Sequence, residues 1–144
     1  MAYALCRAGC RVLILNRTES RATALAEELG CRWGGLDDRG RAMMGSFNDL
    51  LVQTTSVGMS PDADADTLEG YTFDGHEIAY DIIYTPPLTR FLKRARAAGC
   101  RTIGGWDMLL NQAMEQFRLF TGSPYPEEAA EFLGGPSEVD GPTF

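Results

Sequence analysis

Apolar residues along the chain follow two patterns, short continuous runs and stripes with a helical spacing. Short runs are typical of buried strands, and a stripe at i, i+3, i+4 and i+7 predicts one apolar helix face. The clearest stripe consists of Ala22, Leu25, Ala26 and Leu29. We expect residues 37–48 to be irregular. The predicted strands are 11–15, 31–36, 49–56, 76–84 and 100–104, and the predicted helices are 1–8, 18–30, 85–99, 106–120 and 127–133.

The order of these elements predicts the fold class. Strands that alternate with helices form βαβ units, so we expect an α/β, doubly wound (Rossmann-like) and mostly parallel sheet. No G-x-G-x-x-G segment precedes the first helix, and we expect the fold to lack its first strand and glycine-rich turn. The absence of that central strand would leave a slot about 9–10 Å wide between strands 11–15 and 49–56.

The domain organisation follows from the same gap. We expect the chain to be the C-terminal piece of a longer enzyme, or a mis-started gene product. Alone it should be marginally stable or should borrow a strand from a neighbour, because unpaired backbone groups in an apolar setting are costly. One partial domain would cover 1–122, and an acidic helix and tail would cover 123–144.

Composition narrows the function classes. The 144 residues are 44% apolar and 23% charged, as in an ordinary soluble domain, and the net charge of −7 argues against a nucleic-acid surface. Neither a membrane-spanning run nor a signal peptide is visible. The cysteines form no C-x-x-C pair, so we expect free thiols in a reducing cytoplasm and no zinc site. The four cysteines are Cys6, Cys10, Cys31 and Cys100.

Candidate chemistry begins where the first strand ends. Asn16 is followed by Arg17 and Thr18, and Arg21 comes one helical turn later. At this place a doubly wound fold meets the adenosine ribose, and a carboxylate there selects NAD because it would repel the 2′-phosphate of NADP. Two guanidinium groups instead suit a phosphate, although they could also be solvated residues at a helix start. The segment therefore predicts a clamp for a 2′-phosphate.

Five segments together resemble one family. N-R-T-x-x-R-A (16–22) is similar to the NADP-specificity segment of shikimate dehydrogenases. T-S-V-G-M (55–59) and D-I-I-Y-T-P-P-L-T (81–89) resemble later segments of the same family. G-W-D-M-L-L-N-Q-A (105–113) and F-x-x-F-T-G (117–122) resemble its closing segments, in the same order.

The resemblance implies a function, a cofactor and roles for individual residues. It implies NADP as cofactor and reduction of 3-dehydroshikimate to shikimate, with this chain as the cofactor-binding part. Asn16, Arg17, Thr18 and Arg21 would hold the adenosine 2′-phosphate and adenine, Thr55 and Ser56 would line the dinucleotide path, Ile82 and Gly105 would approach the nicotinamide, and Tyr84 and Gln112 would bind substrate.

Simpler readings remain open for some of these residues. Tyr84 could be a rim tyrosine, Gln112 a solvated helix residue and Gly105 a turn glycine. Two departures from the family pattern lie near the substrate end, namely Q-T-T-S (53–56) in place of N-A-T-S, and Trp106 in place of leucine. They leave a quinate or shikimate dehydrogenase relative as an alternative.

Hydride transfer to or from a hydroxyl also needs a proton-transfer group, and we expect none in this chain. His76 is the single histidine and lies in a predicted surface loop, Lys93 is the single lysine and lies away from its helix's packed face, and Asp81 and Asp107 are expected to be structural. The resemblance places a lysine and an aspartate for this task in another domain, so we expect the chain to be inactive alone and to work as a homodimer or fused to a catalytic domain.

Other classes remain as alternatives, and one is rejected. A glutamyl-tRNA reductase cofactor domain can share N-R-T-x-x-R-A, and a non-catalytic nucleotide-binding module is also open. The D-A-D-A-D run (62–66) resembles the start of a calcium loop, but Thr67 and Phe73 stand where such a loop needs glycine and glutamate. We expect a solvated loop there and no metal site.

Overall fold

The computed structural model describes residues 1–126 and Ala129. The chain is divided into two compact units, Met1–Leu50 and the part from Leu51 onwards. The predicted acidic helix 127–133 and the rest of the tail lie outside the described residues, apart from Ala129. The division into 1–122 and 123–144 therefore stays a prediction.

The first unit contains a two-stranded parallel sheet. Leu13 lies opposite Arg32 and Asn16 opposite Gly35, so the carboxyl ends of both strands meet at one edge. The elements are α1 (Ala2–Arg7), β1 (Leu13–Asn16), α2 (Glu19–Leu29), β2 (Arg32–Gly35), α3 (Asp38–Met43) and a 3₁₀ turn (Met44–Ser46).

Helix α2 packs through its smallest side chains. Ala22 and Ala26 are each 1% exposed, whereas Leu25 is 40% exposed, although the stripe placed it on the packed face. Leu25 lies about 100° from Ala26 around the helix, at the margin of the stripe. Of the predicted face, the two alanines are therefore buried, and Leu29 is partly buried.

The prediction that 37–48 is irregular is wrong, because α3 and the 3₁₀ turn lie there. Asp37 caps α3 by accepting a hydrogen bond from the Gly40 backbone N–H at 2.8 Å. Gly40 looks like a helix breaker in the sequence, but a Cβ there would lie 1.8 Å from the Gly35 carbonyl oxygen. The glycine therefore lets the helix approach β2 closely.

The second unit contains a three-stranded sheet of order β3-β4-β5. Strands β4 and β5 are parallel, with Ile78 opposite Arg101. Its core is formed by apolar side chains from the sheet and α4, including Leu51, Ala79, Phe91, Leu92 and Ala95. The elements are β3 (Leu50–Gln53), β4 (Ile78–Asp81), α4 (Arg90–Ala97), β5 (Arg101–Ile103) and α5 (Trp106–Thr121).

These parallel strands with flanking helices confirm the predicted α/β class. Within residues 1–126, β1 pairs only with β2, and β3 pairs only with β4. The predicted strands 11–15 and 49–56 thus belong to separate sheets, and β1 and β3 each have one edge without a strand partner among the described residues. No helix in this described part of the chain is long and apolar enough to cross a membrane.

Candidate functional site

The end of β1 turns directly into α2. The Asn16 side-chain oxygen accepts a hydrogen bond from the Thr18 backbone N–H at 2.9 Å, which closes the turn after the strand. Thr18 is the N-cap of α2, but its hydroxyl makes no capping hydrogen bond. Both this hydroxyl and the first N–H groups of the helix remain available to a ligand.

The two predicted clamp arginines flank this turn. Arg17 and Arg21 are exposed, and neither forms a hydrogen bond or an ion pair with any residue that the structure describes. The carboxylate of Glu19, in the same helical turn, lies against Gly35, where a Cβ would be 2.8 Å from its Oε1 atom. The guanidinium groups are therefore not neutralised by that carboxylate, and the site carries excess positive charge.

In the second unit, Gln53 shapes the turn that carries Thr55 and Ser56. Gln53 is 5% exposed. Its amide nitrogen donates to the carbonyl oxygens of Val57 at 2.9 Å and Thr55 at 3.3 Å, and its amide oxygen accepts from the Thr55 N–H. Thr55 and Ser56 are both exposed, so the turn presents them to solvent. The glutamine that departs from the family pattern thus has a structural role of its own.

Asp81, at the end of β4, fixes the start of α4. Its Oδ1 atom accepts from the Ile83 N–H at 3.0 Å, and its Oδ2 atom accepts from the Thr89 hydroxyl at 2.7 Å. The Thr89 hydroxyl oxygen in turn accepts from the Leu92 N–H at 3.4 Å and caps α4. Burial raises the pKa of Asp81, and the bonds from Ile83 and Thr89 offset only part of that effect. The predicted structural role of Asp81 agrees with this arrangement.

Replacing Thr89 with valine tests this connection. Thr89 is fully buried, and valine keeps its shape but removes both hydroxyl interactions. We expect the free energy of unfolding to fall by about 1–3 kcal/mol, measured by urea titration. Thr89→Ser is the matched control and should retain most of the stability. Equal losses in both variants would show that the methyl group matters and not the hydroxyl.

Ile82 and Gly105 are brought together by the backbone. A Cβ at Gly105 would lie 2.0 Å from the Ile82 carbonyl oxygen, and the Gly105 N–H donates to the Ile83 carbonyl at 3.2 Å. The φ angle of Gly105 is −79°, so any residue could adopt its backbone conformation. Close approach, and not a turn geometry, therefore requires glycine at this position.

The two predicted substrate residues are both accessible. Tyr84 is 47% exposed, and Gln112 lies on an exposed part of α5. Neither side chain has a hydrogen-bond partner in the described part of the chain. Both groups are free to bind a polar ligand, and no hydrogen bond joins them to each other in the described part of the chain.

The aspartate-rich loop is anchored by two arginines. Asp66 forms an ion pair with Arg94 and accepts a hydrogen bond from the Leu68 N–H at 2.8 Å. Arg90 donates to the Asp64 carbonyl at 2.9 Å and pairs with Glu69 at 3.2 Å. Two arginines of α4 therefore hold this loop of the second unit against the helix.

Sequence reasoning missed Glu77, a buried carboxylate with several hydrogen-bond donors around it. It is fully buried, and it accepts hydrogen bonds from the Tyr71 hydroxyl at 2.9 Å, the backbone N–H groups of Asp74 and Gly75, and the Cys100 thiol at 3.3 Å. Burial alone would raise its pKa, but these hydrogen bonds outweigh burial and lower the pKa to about 2. The only sequence signal was a glutamate directly before an apolar strand.

The remaining proton-transfer candidates lie at the surface. His76 is about half exposed, and its Nδ1 atom is 3.9 Å from the Glu77 carboxylate. Lys93 and Asp107 are exposed. Burial, followed by the charge of Asp107, raises the pKa of Tyr80. These positions match the expected surface role of His76 and Lys93.

Comparison with known proteins gives a consistent result. The family described as shikimate 5′-dehydrogenase C-terminal domain matches residues 105–131. A shikimate dehydrogenase (NADP(+)) from Halorubrum lacusprofundi is 43% identical over 129 residues, which cover 89% of this chain and 46% of the relative. A bifunctional 3-dehydroquinate dehydratase/shikimate dehydrogenase from Arabidopsis thaliana is 35% identical over 132 residues, covering 89% of this chain and 21% of the relative.

Solved structures agree with these relatives. Shikimate 5-dehydrogenase from Thermus thermophilus, in complex with NADP(H) and shikimate, superposes with a TM-score of 0.77 at 39% identity, over 92% of this chain and 49% of that one. Quinate dehydrogenase from Corynebacterium glutamicum, in complex with NAD, gives 0.76 at 34% identity with the same coverage.

The fold defines this chain as a Rossmann-like α/β protein. More closely, the chain is similar to shikimate dehydrogenases over 89% of its length, and residues 105–131 match the C-terminal domain of that family. It spans about half the length of the curated shikimate dehydrogenases (NADP(+)) that it matches.

Proposed function

We propose that this chain binds NADP as the cofactor-binding part of a shikimate dehydrogenase, with Arg17 and Arg21 holding the 2′-phosphate of the adenosine. Asn16 and Thr18 would shape and complete that site. The single observation that carries the proposal is the pair of exposed guanidinium groups, without partners in the described chain, at the carboxyl end of β1. A dianionic phosphate there would gain charge-assisted hydrogen bonds.

The rest of the cofactor and the substrate would meet the second unit. Thr55 and Ser56 would contact the dinucleotide, and the close backbone approach of Ile82 and Gly105 would face the nicotinamide. The free hydroxyl of Tyr84 and the free amide of Gln112 would bind the carboxylate or hydroxyls of the substrate. The complete enzyme would reduce 3-dehydroshikimate to shikimate with NADPH, using proton-transfer groups from outside this chain, so we expect no turnover by the chain alone.

Titration with NADP⁺ and NAD⁺ tests the clamp. Removing one arginine–phosphate contact should cost about 1.5–3 kcal/mol, so Arg17→Ala or Arg21→Ala should weaken NADP⁺ binding roughly 10- to 150-fold. The affinity for NAD⁺ should stay nearly unchanged because it lacks the phosphate. Calorimetry or nucleotide fluorescence would measure both affinities, and 2′,5′-ADP would isolate the phosphate end.

Arg32→Ala is the matched control for this titration. Arg32 is also an exposed arginine of the first unit, but it begins β2 opposite Leu13, at the other end of the sheet. Its replacement should leave NADP⁺ binding unchanged. Equal losses for NADP⁺ and NAD⁺ in the Arg17 or Arg21 variants would remove the argument for phosphate recognition.

Quinate oxidation with NAD is the second candidate function. It is favoured by the nearly equal similarity to the quinate dehydrogenase solved with NAD and by Gln53 and Trp106, which depart from the shikimate dehydrogenase pattern near the substrate end. A chain that binds NAD⁺ at least as tightly as NADP⁺ would support this alternative.

A further inference from the structure

An open cavity of about 630 Å³ lies in the first unit, away from the clamp. Val12 and Arg32, which line it, precede or begin β1 and β2, so the cavity lies at the amino ends of strands whose carboxyl ends lead to the clamp. Three of the four cysteines also line it, namely Cys6, Cys10 and Cys31. No part of the proposed cofactor function uses this cavity.

Two of these thiols are neighbours. Cys6 lies on the last turn of α1, and Cys31 lies between the C-cap of α2 and the start of β2. Both side chains line the cavity, and burial, followed by the nearby Cys6, raises the pKa of the Cys31 thiol. The Cys31 N–H donates to the Ala26 carbonyl at 3.0 Å, which holds the backbone of this turn in place. Contacts between α1 and α2 bring the two segments together.

Accessibility separates this pair from the other cysteines. Cys6 and Cys31 are half-buried, so a small oxidant can reach them from the cavity. Cys10 is exposed at the same cavity, and Cys100 is buried in the second unit, where its thiol donates to Glu77. The chain thus contains one pair of neighbouring thiols, an accessible third thiol and a protected fourth.

We propose that Cys6 and Cys31 form a redox-sensitive dithiol that hydrogen peroxide closes to an intramolecular disulfide. The thiolate of one cysteine attacks a peroxide oxygen. The S–O bond forms, the O–O bond breaks, and protonation of the leaving hydroxide gives water. The sulfur is oxidised by two electrons to a sulfenic acid while the peroxide is reduced.

The second cysteine completes the reaction. Its sulfur attacks the sulfenic sulfur, so that the S–S bond forms, the S–O bond breaks, and a second water leaves with the thiol proton. The product links α1 to the turn before β2. A reducing dithiol reverses the step by exchange.

Peptide mapping of the oxidised chain tests the proposal. The whole chain is treated with hydrogen peroxide, the remaining thiols are alkylated, and the digest is analysed by mass spectrometry without reduction. We expect a peptide pair linked through Cys6 and Cys31, alkylated Cys10 and Cys100, and loss of the link after dithiothreitol. The thermal midpoint should rise on oxidation, because the link restricts the unfolded chain.

Cysteine variants provide the controls. Cys10→Ser should form the link at the wild-type rate, whereas Cys6→Ser and Cys31→Ser should lose it. Dominant links that include Cys10, or over-oxidation of Cys10 while Cys6 and Cys31 stay reduced, would overturn the proposal. The peptide map of the oxidised wild-type chain distinguishes these outcomes even if a serine variant fails to fold.

Discussion

Replacement of Gly105 with alanine is expected to destabilise the second unit by about 3 kcal/mol or more. The new Cβ would lie 2.0 Å from the carbonyl oxygen and 2.4 Å from the carbonyl carbon of Ile82. Both atoms belong to the backbone that follows β4, so no side chain can rotate away to relieve the clash. The backbone itself must move by about an ångström, in a region where Gly105 is buried.

Urea unfolding of the variant and of Gly104→Ala measures this effect against a matched control. A Cβ at Gly104 would meet its nearest neighbour, the Pro87 carbonyl oxygen, at 3.4 Å, which is an ordinary contact. We expect Gly104→Ala to change the free energy of unfolding by less than about 1 kcal/mol. Similar losses in the two variants would point to a general effect of replacing glycine. They would contradict the explanation that a steric clash at Gly105 causes the loss.

Replacement of Glu77 with glutamine is expected to lower the free energy of unfolding at pH 7 by about 3 kcal/mol. Glutamine has nearly the same shape, but it is neutral and carries an NH₂ group. In the native chain both carboxylate oxygens accept hydrogen bonds from donors, including the N–H groups of Asp74 and Gly75. The NH₂ group of the glutamine would face these donors and leave buried polar groups unpaired, which lowers the stability of the fold.

The effect of this substitution should depend on pH in a defined direction. Glu77 has a pKa of about 2 in the folded chain against an ordinary value of 4.5. A lowered pKa stabilises the fold fully above pH 4.5, by about 3 kcal/mol, and this contribution is lost as the pH falls towards 2. The difference in stability between wild type and Glu77→Gln should therefore shrink by roughly half between pH 7 and pH 3.

Glu69→Gln is the matched control for removal of a carboxylate charge. Its carboxylate is 75% exposed and pairs with Arg90 at the surface, so its loss should cost less than about 1 kcal/mol. A difference for Glu77→Gln that stays constant between pH 7 and pH 3 would mean that its carboxylate does not titrate as the hydrogen bonds require.

The fold class could be predicted from the sequence because the spacing of apolar residues along each segment is a local signal. All five strand positions were predicted, and α5 ends within one residue of its expected end. The predicted start of α4 was early, since the helix begins only at Arg90, where Asp81 holds the capping Thr89. The hydrogen bond between Asp81 and Thr89 joins residues eight positions apart, and the spacing of apolar residues does not reveal it.

The missed features depend on contacts between distant segments. Gly40 reads as a helix breaker and Gly105 as a turn residue until the neighbouring carbonyl oxygens are known. Glu77 reads as a loop glutamate until the backbone of 74–75 closes around it. Sequence reasoning named the clamp arginines because their chemistry is local to one turn.

The anchored loop over 60–70 affects how proteases would act on this protein. A polar, acidic stretch between two strands resembles a linker that a protease could cut readily. Arg90 and Arg94 instead attach it to α4, whose Phe91 and Leu92 lie in the core. A protease needs an extended segment of substrate chain, and here that segment is released only when α4 gives up its contacts. The rate of cleavage in this loop should therefore follow the opening of the second unit, and the lifetime of the protein would be limited by that event.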